Sequence, residues 1–133
     1  MAQPAPIVVE VSPGELWDKI TILRIKADRI TDATKIQNVK AELAMLELAA
    51  SKACAATGGL SELVARLSQV NTALWDVEDE IRDCERRKDF GLRFIELARS
   101  VYQLNDERGK VKREVNQLLG ARMIEEKQYA KYD

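Results

Sequence analysis

From Leu60 to Cys84 the apolar residues fall at intervals of three and four without a break: Leu60, Leu63, Leu67, Val70, Leu74, Val77, Ile81 and Cys84. That spacing keeps one face of an α-helix apolar and matches the seam of a bundle or coiled coil. Upstream, Ser12-Pro13-Gly14-Glu15 reads as a helix start. Ser12 is placed to cap, Pro13 suits the first helical position, and Glu15 completes a capping box. The helix it opens is predicted to run to about Ile30, with Leu16, Ile20, Leu23, Ala27 and Ile30 as its main stripe. Ile22 and Ile25 widen that stripe, which predicts contact with more than one neighbour.

After the short connection Thr31–Thr34, where Asp32 or Thr34 can cap, Ile36, Val39, Leu43, Leu46 and Ala50 mark a second helix. So short a link predicts a helical hairpin. Ser51–Gly59 is the longest break. The seam helix follows it, with Ser61 as its expected cap, and Arg86–Asp89 is the next turn. A last helix is predicted from about Phe90 to Leu119, with Gly120 as its stop. Thirty helical residues would be roughly 45 Å long, which favours an elongated bundle. Ala121–Asp133 is a charged tail whose Tyr129 and Tyr132 have the spacing of a short docked helix. At the other end, Ile7-Val8-Val9-Glu10-Val11 is β-branched and reads as a short extended segment, suited to pairing with a second copy of itself.

The expected fold is therefore all-α: a four-helix antiparallel bundle of two helical hairpins with a long C-terminal helix. It forms a single domain over residues 1–133, flanked by tails at 1–11 and 121–133. The regular seam and the long helices predict a homodimer. Leu-Trp-Asp occurs at 16–18 and again at 74–76, but the flanking residues do not repeat.

One segment breaks the pattern. In the last helix, Phe94, Leu97, Val101 and Leu104 begin a stripe that Val111, Val115 and Leu118 finish. Between them lies Asn105-Asp106-Glu107-Arg108-Gly109, with Arg108 where a core residue is expected. A buried ion is costly unless paired or used. Two readings compete. Tyr102, Asn105, Arg108 and Lys112 share a helical face and offer a phenol, an amide, a bidentate guanidinium and an ammonium, a set able to hold a carboxylate or phosphate. Alternatively Arg108 belongs to an internal polar layer that sets register, paired with Asp18, Asp76 or Glu78. The layer is the preferred reading. Gly109 would then mark a kink or a close helix approach, and Trp17 and Trp75 would flank a wide core rather than wall a pocket.

Composition narrows the chemistry. Histidine is absent, which removes imidazole-based nucleophile systems and the common zinc sites. The net charge of −1 gives no basic excess for nucleic acid. Cys54 and Cys84 lack metal or redox spacing. Cys84 falls on the seam as a small buried hydrophobe, and a disulfide between the two is left open. No apolar run approaches the roughly 20 residues that span a bilayer, and no signal peptide is visible. Glu78-Asp79-Glu80 and Glu125-Glu126 read as solvated faces rather than metal ligands. No catalytic residue, cofactor or metal is assigned, and the expected location is the cytoplasm.

Four blocks carry a resemblance: Gly14–Lys26 (GELWDKITILRIK), Leu74–Arg82 (LWDVEDEIR), Phe94–Lys112 (FIELARSVYQLNDERGKVK) and Glu125–Tyr132 (EEKQYAKY). In this order they resemble an uncharacterised bacterial family, a domain of unknown function. The resemblance implies genes that often lie beside glycosyltransferases of surface-polysaccharide or lipopolysaccharide assembly. It brings no activity, so no catalytic residue is carried over. In size, helix content and long terminal helix the chain also resembles small all-helical chorismate mutases, without a shared motif. The expected function is a non-enzymatic interaction or accessory protein with a possible partner in glycosyltransferase systems. The alternative is an enzyme or binding protein for an anionic metabolite or nucleotide-sugar, gripped by Asn105, Arg108 and Lys112.

Overall fold

The computed structural model describes residues 3–54, 57–123 and 125–132. Four helices form: α1 (Pro13–Arg29), α2 (Ala33–Ala53), α3 (Leu60–Arg87) and α4 (Leu92–Leu118). The fold is the all-α bundle that the periodicity predicts, and there is no strand among the described residues.

The helix ends follow local chemistry. Ser12 Oγ accepts from the Glu15 N–H at 3.2 Å, and Pro13 opens α1. The Glu15 carboxylate is directed at Lys112 and so serves the tertiary structure rather than the capping box. Asp32 takes the α2 cap, accepting from the Lys35 N–H at 3.0 Å. Ser61 lies inside α3, and the residue before the helix is Gly59 at φ 91°; the left-handed region suits glycine, which is why the cap moved back from Ser61. α4 ends in paired backbone bonds: the Gly120 N–H donates to Gln117 O and the Ala121 N–H to Asn116 O, with Gly120 at φ 65°. This is the Schellman arrangement expected of a glycine stop.

α3 and α4 pack along each other, α1 lies against both, and α2 packs on α1 alone. Ile20, Leu23, Leu67, Val70, Leu74, Leu97, Val111 and Val115 form the core, and Cys84 is buried with them as a free thiol. Cys54 is free as well. Leu67, Val70, Leu74 and Cys84 of the α3 seam are buried inside the chain, and Leu60, Leu63, Val77 and Ile81 are partly covered. Arg66 bridges to Glu114 at 2.8 Å and to Glu107 at 3.4 Å across the α3–α4 hairpin. Such half-exposed pairs fix register more than they stabilise.

α2 buries Val39 and Ala50, with Ile36, Leu43 and Leu46 partly covered, which is its expected stripe. Its outer face keeps Met45 and Leu48 exposed. Neither tail has a helix or strand among the described residues. Ile7, Val8, Val9 and Val11 are exposed and form no strand within the chain. The described part of 121–132 forms no helix, yet residues 125–132 lie against α4. Ala55, Ala56, Ile124 and Asp133, which belong to the expected loop and tail, lie outside the described residues.

Candidate functional site

A polar layer does cross the core, one helical turn from where the sequence placed it. Asp18 and Thr21 of α1, Asn71 of α3, and Lys112 and Asn116 of α4 are all buried. Asn71 Nδ2 donates to Asp18 Oδ1 at 2.9 Å and to Thr21 Oγ1 at 3.0 Å. Thr21 Oγ1 in turn donates to the Asp18 carbonyl at 2.8 Å. The Lys112 ammonium reaches Glu15 at 2.8 Å, Glu125 at 3.0 Å and Asp18 at 3.9 Å. Burial alone pulls the Lys112 pKa down. The hydrogen bonds to Glu15 and Glu125 and the charge of Asp18 outweigh it and raise the pKa above the ordinary lysine value. The Glu125 carboxyl is lowered, first by its bond to Lys112.

Two glycines set this geometry. The Gly14 N–H donates to Asn116 Oδ1 at 2.7 Å, and a Cβ on Gly14 would stand 2.4 Å from the Lys112 carbonyl oxygen. The start of α1 therefore rests directly on the α4 backbone. Gly109 lies within an unbroken α4. It makes room for the Lys127 side chain, whose Nζ would be 3.4 Å from a Cβ there.

Arg108 is not part of the layer. Each expected partner is engaged elsewhere: Asp18 with Asn71 and Lys112, Asp76 with Arg29, and Glu78 with Arg82 at 2.8 Å. Among the described residues no carboxylate lies within ion-pair distance of Arg108, and its buried Nε has no hydrogen-bond partner. The side chain is half-buried and lines two open grooves on either side of α4.

The first groove, about 640 Å³, lies between α4 and residues 127–132. Tyr102, Asn105 and Arg108 line it together with Lys127, Lys131, Tyr129 and Tyr132, and Asp106 is the carboxylate among the lining residues. The rings of Tyr102 and Tyr132 meet edge to face at 4.9 Å. The outer wall is pinned by Lys112–Glu125 and by Arg113–Glu126 at 2.8 Å. Three cations against one carboxylate make an anion-attracting cleft. Of the four residues assigned to one face, Tyr102, Asn105 and Arg108 are brought together, while Lys112 is withdrawn into the core.

The second groove, about 620 Å³, runs between α1, α3 and α4. Ile22, Ile25, Leu74 and Trp75 give it an apolar wall, and Asn71, Glu78, Asp79, Arg82, Asn105 and Arg108 its polar positions. Trp75 thus walls a groove, whereas Trp17 packs beside Arg24, whose guanidinium carbon is 5.9 Å from its ring centroid.

Sequence reasoning missed Glu15, Asn71 and Asn116 in the layer and Lys127 and Lys131 in the cleft. Lys112 carried a usable signal: it adjoins Val111 at the edge of the buried stripe, so its stem enters the core and its charge then requires carboxylates. Lys127 and Lys131 carried none, because the Tyr129–Tyr132 spacing predicts a docked helix, which does not form, and says nothing of the two lysines.

No described helix is long and apolar enough to cross a membrane. No protein of curated function and no solved structure matches the chain. The pattern of residues 7–132, which takes in both grooves and the ionic layer, fits the model of one family, and the chain belongs to that family of unknown function (DUF6165).

Proposed function

We propose that the chain is a non-enzymatic accessory protein that binds a small phosphate- or carboxylate-bearing ligand in the cleft of Tyr102, Asn105, Arg108, Lys127 and Lys131. The observation that carries this reading is the state of Arg108. A guanidinium whose buried Nε has no partner is costly to keep. An oxyanion in the cleft would remove that cost and accept a bidentate bond. Binding rather than turnover is proposed because the lining offers cations, amides and phenols, with no paired acid and base. The bacterial origin and the glycosyltransferase neighbourhood implied by the family resemblance, and the cytoplasmic location expected from composition, belong to this proposal and make nucleotide-sugars the first natural ligands to try.

Inorganic pyrophosphate is the direct probe. Titration calorimetry is expected to give a Kd of about 1 mM or tighter. Arg108→Leu is expected to weaken it by roughly tenfold or more, the worth of one charge-assisted hydrogen bond. Because Arg108 has no carboxylate within ion-pair distance among the described residues, the same variant should keep or raise the melting temperature without a compensating change. The absence of any heat or thermal shift with pyrophosphate and UDP-glucose overturns the proposal.

A second observation favours docking as part of the accessory role. Ala41, Ala44, Met45 and Leu48 recur at helical spacing on the outer face of α2 and are exposed. With Leu67, Val70, Leu74 and Cys84 of the α3 seam buried, this stripe is the surface we propose for the homodimer. Light scattering is expected to give twice the 15.0 kDa chain mass, falling to one chain in Met45→Glu/Leu48→Lys. A dimer that survives those changes removes α2 from the interface.

A further inference from the structure

The two grooves flanking α4 have Asn105 and Arg108 in common, and their chemistry is complementary rather than redundant. On the side of the C-terminal segment, Arg108, Lys127 and Lys131 offer more positive charge than a single carboxylate needs. On the side of α1 and α3, the half-buried Trp75 stands with Ile22 and Leu74 as an apolar wall, rimmed by Glu78 and the Asn105 amide. Glu78 is already held by Arg82 at 2.8 Å, so the Asn105 amide is the rim group left for a ligand. An aliphatic or simple aryl acid would use the wall alone, whereas a planar ring with N–H and carbonyl edges would use both: its face on the indole, its edge on the amide.

We infer that the ligand is a nucleoside diphosphate or a derivative of one, its base against Trp75 in the α1–α3–α4 groove and its phosphates on Arg108, Lys127 and Lys131 in the C-terminal cleft. This assignment rests on the anion-binding reading of Arg108 and extends it to the other side of the helix. Arg108 lies at the junction, where the first phosphate after the ribose would fall. Asn105 faces the sugar from the same side of α4, one turn earlier. The second groove is then a base subsite and accounts for Ile22 and Trp75, which the bundle leaves half-buried.

The chain has two tryptophans, so Trp17→Phe leaves Trp75 as the single fluorescent reporter. In that variant, titration with UDP and with ADP is expected to quench the emission, whereas pyrophosphate leaves it unchanged. By calorimetry on the wild-type chain, the better of the two nucleotides is expected to bind at least tenfold more tightly than pyrophosphate, the advantage a stacked base confers. Trp75→Leu should bring the ratio of the two affinities to within about threefold of one, with circular dichroism reporting that the helices are retained. Equal affinity for pyrophosphate and both nucleotides, or an unquenched Trp75 at saturation, overturns the base subsite while leaving the anion site in place. An undiminished ratio in Trp75→Leu does the same. Silence towards pyrophosphate and nucleotides alike removes both.

Discussion

Gly14→Ala is expected to lower the melting temperature by roughly 5–12 °C, equivalent to about 2–3 kcal/mol for a domain of this size. Helix propensity alone points the other way, since alanine is favoured over glycine by about 1 kcal/mol. The sign is set by contact. A Cβ at position 14 would lie 2.4 Å from the Lys112 carbonyl oxygen, 3.1 Å from its carbon and 2.9 Å from Asn116 Oδ1. The first two atoms are backbone in the middle of α4, so they cannot rotate away. The start of α1 has to lift instead, which lengthens the bond from the Gly14 N–H to Asn116 and carries Glu15 and Asp18 away from Lys112. Gly109→Ala is the matched control. There a Cβ meets only the flexible Lys127 side chain, at 3.4 Å, and the expected change is a gain of about 0.5–1 kcal/mol. Thermal denaturation of the two variants side by side tests the argument, and a Gly14→Ala protein as stable as the wild type would refute it.

Lys112→Met is expected to cost about 3 kcal/mol at neutral pH, the lower end of the range for removing one member of a buried ion pair. The side chain is 9% exposed and faces three carboxylates. Glu15 and Glu125 are half-exposed and can rehydrate, and Asp18 keeps Asn71, which is why the upper end does not apply. The pH dependence follows from the shifts. The folded Lys112 pKa is raised, so its contribution is complete below the ordinary lysine value of 10.5 and is lost as pH rises through the raised one. The folded Glu125 pKa is lowered, so its contribution is present above the ordinary 4.5 and is lost as pH falls through the lowered one. Urea denaturation at pH 7 and pH 4 should therefore show the gap between wild type and Lys112→Met narrowing in acid, where the carboxylates begin to protonate. Adding Asp18→Asn should recover part of the loss at pH 7. A gap that is constant with pH would mean that Lys112 stabilises through its aliphatic stem and not its charge.

Lys112 also ties the layer to the proposed site. Its bond to Glu125 holds residues 125–132 against α4 and so positions Lys127, Tyr129 and Tyr132 in the cleft. The ionic layer and the cleft proposed as the ligand site, which compete for Arg108 in the sequence, lie one helical turn apart in the folded chain.

Much of the architecture is legible from local pattern. The three–four spacing of α3, the stripe of α2, the Ser12-Pro13 start and the Gly120 stop each depend on residues within a turn or two of one another, so the periodicity and the capping chemistry specify them. The polar block predicts a buried ionic layer at Arg108, but none of Asn105–Gly109 enters the layer that forms, which is built on Lys112. Arg108 and Lys112 lie on one helical face, and the choice between them depends on where α1 crosses α4. That crossing is set by Gly14 resting on the Lys112 carbonyl, a contact between residues far apart in the chain.

The chain by itself determined four helices, their boundaries to within a few residues and the presence of charge in the core. Only the tertiary structure decided that Glu15, Asp18 and Glu125 gather on Lys112 while no described carboxylate lies within ion-pair distance of Arg108. Only it decided that an aperiodic tail supplies the second wall of a cationic cleft. Helix formation is a property of neighbours in sequence, whereas the pairing of a buried charge depends on which distant carboxylate the packing brings within about 3 Å, and no spacing along one helix encodes that distance.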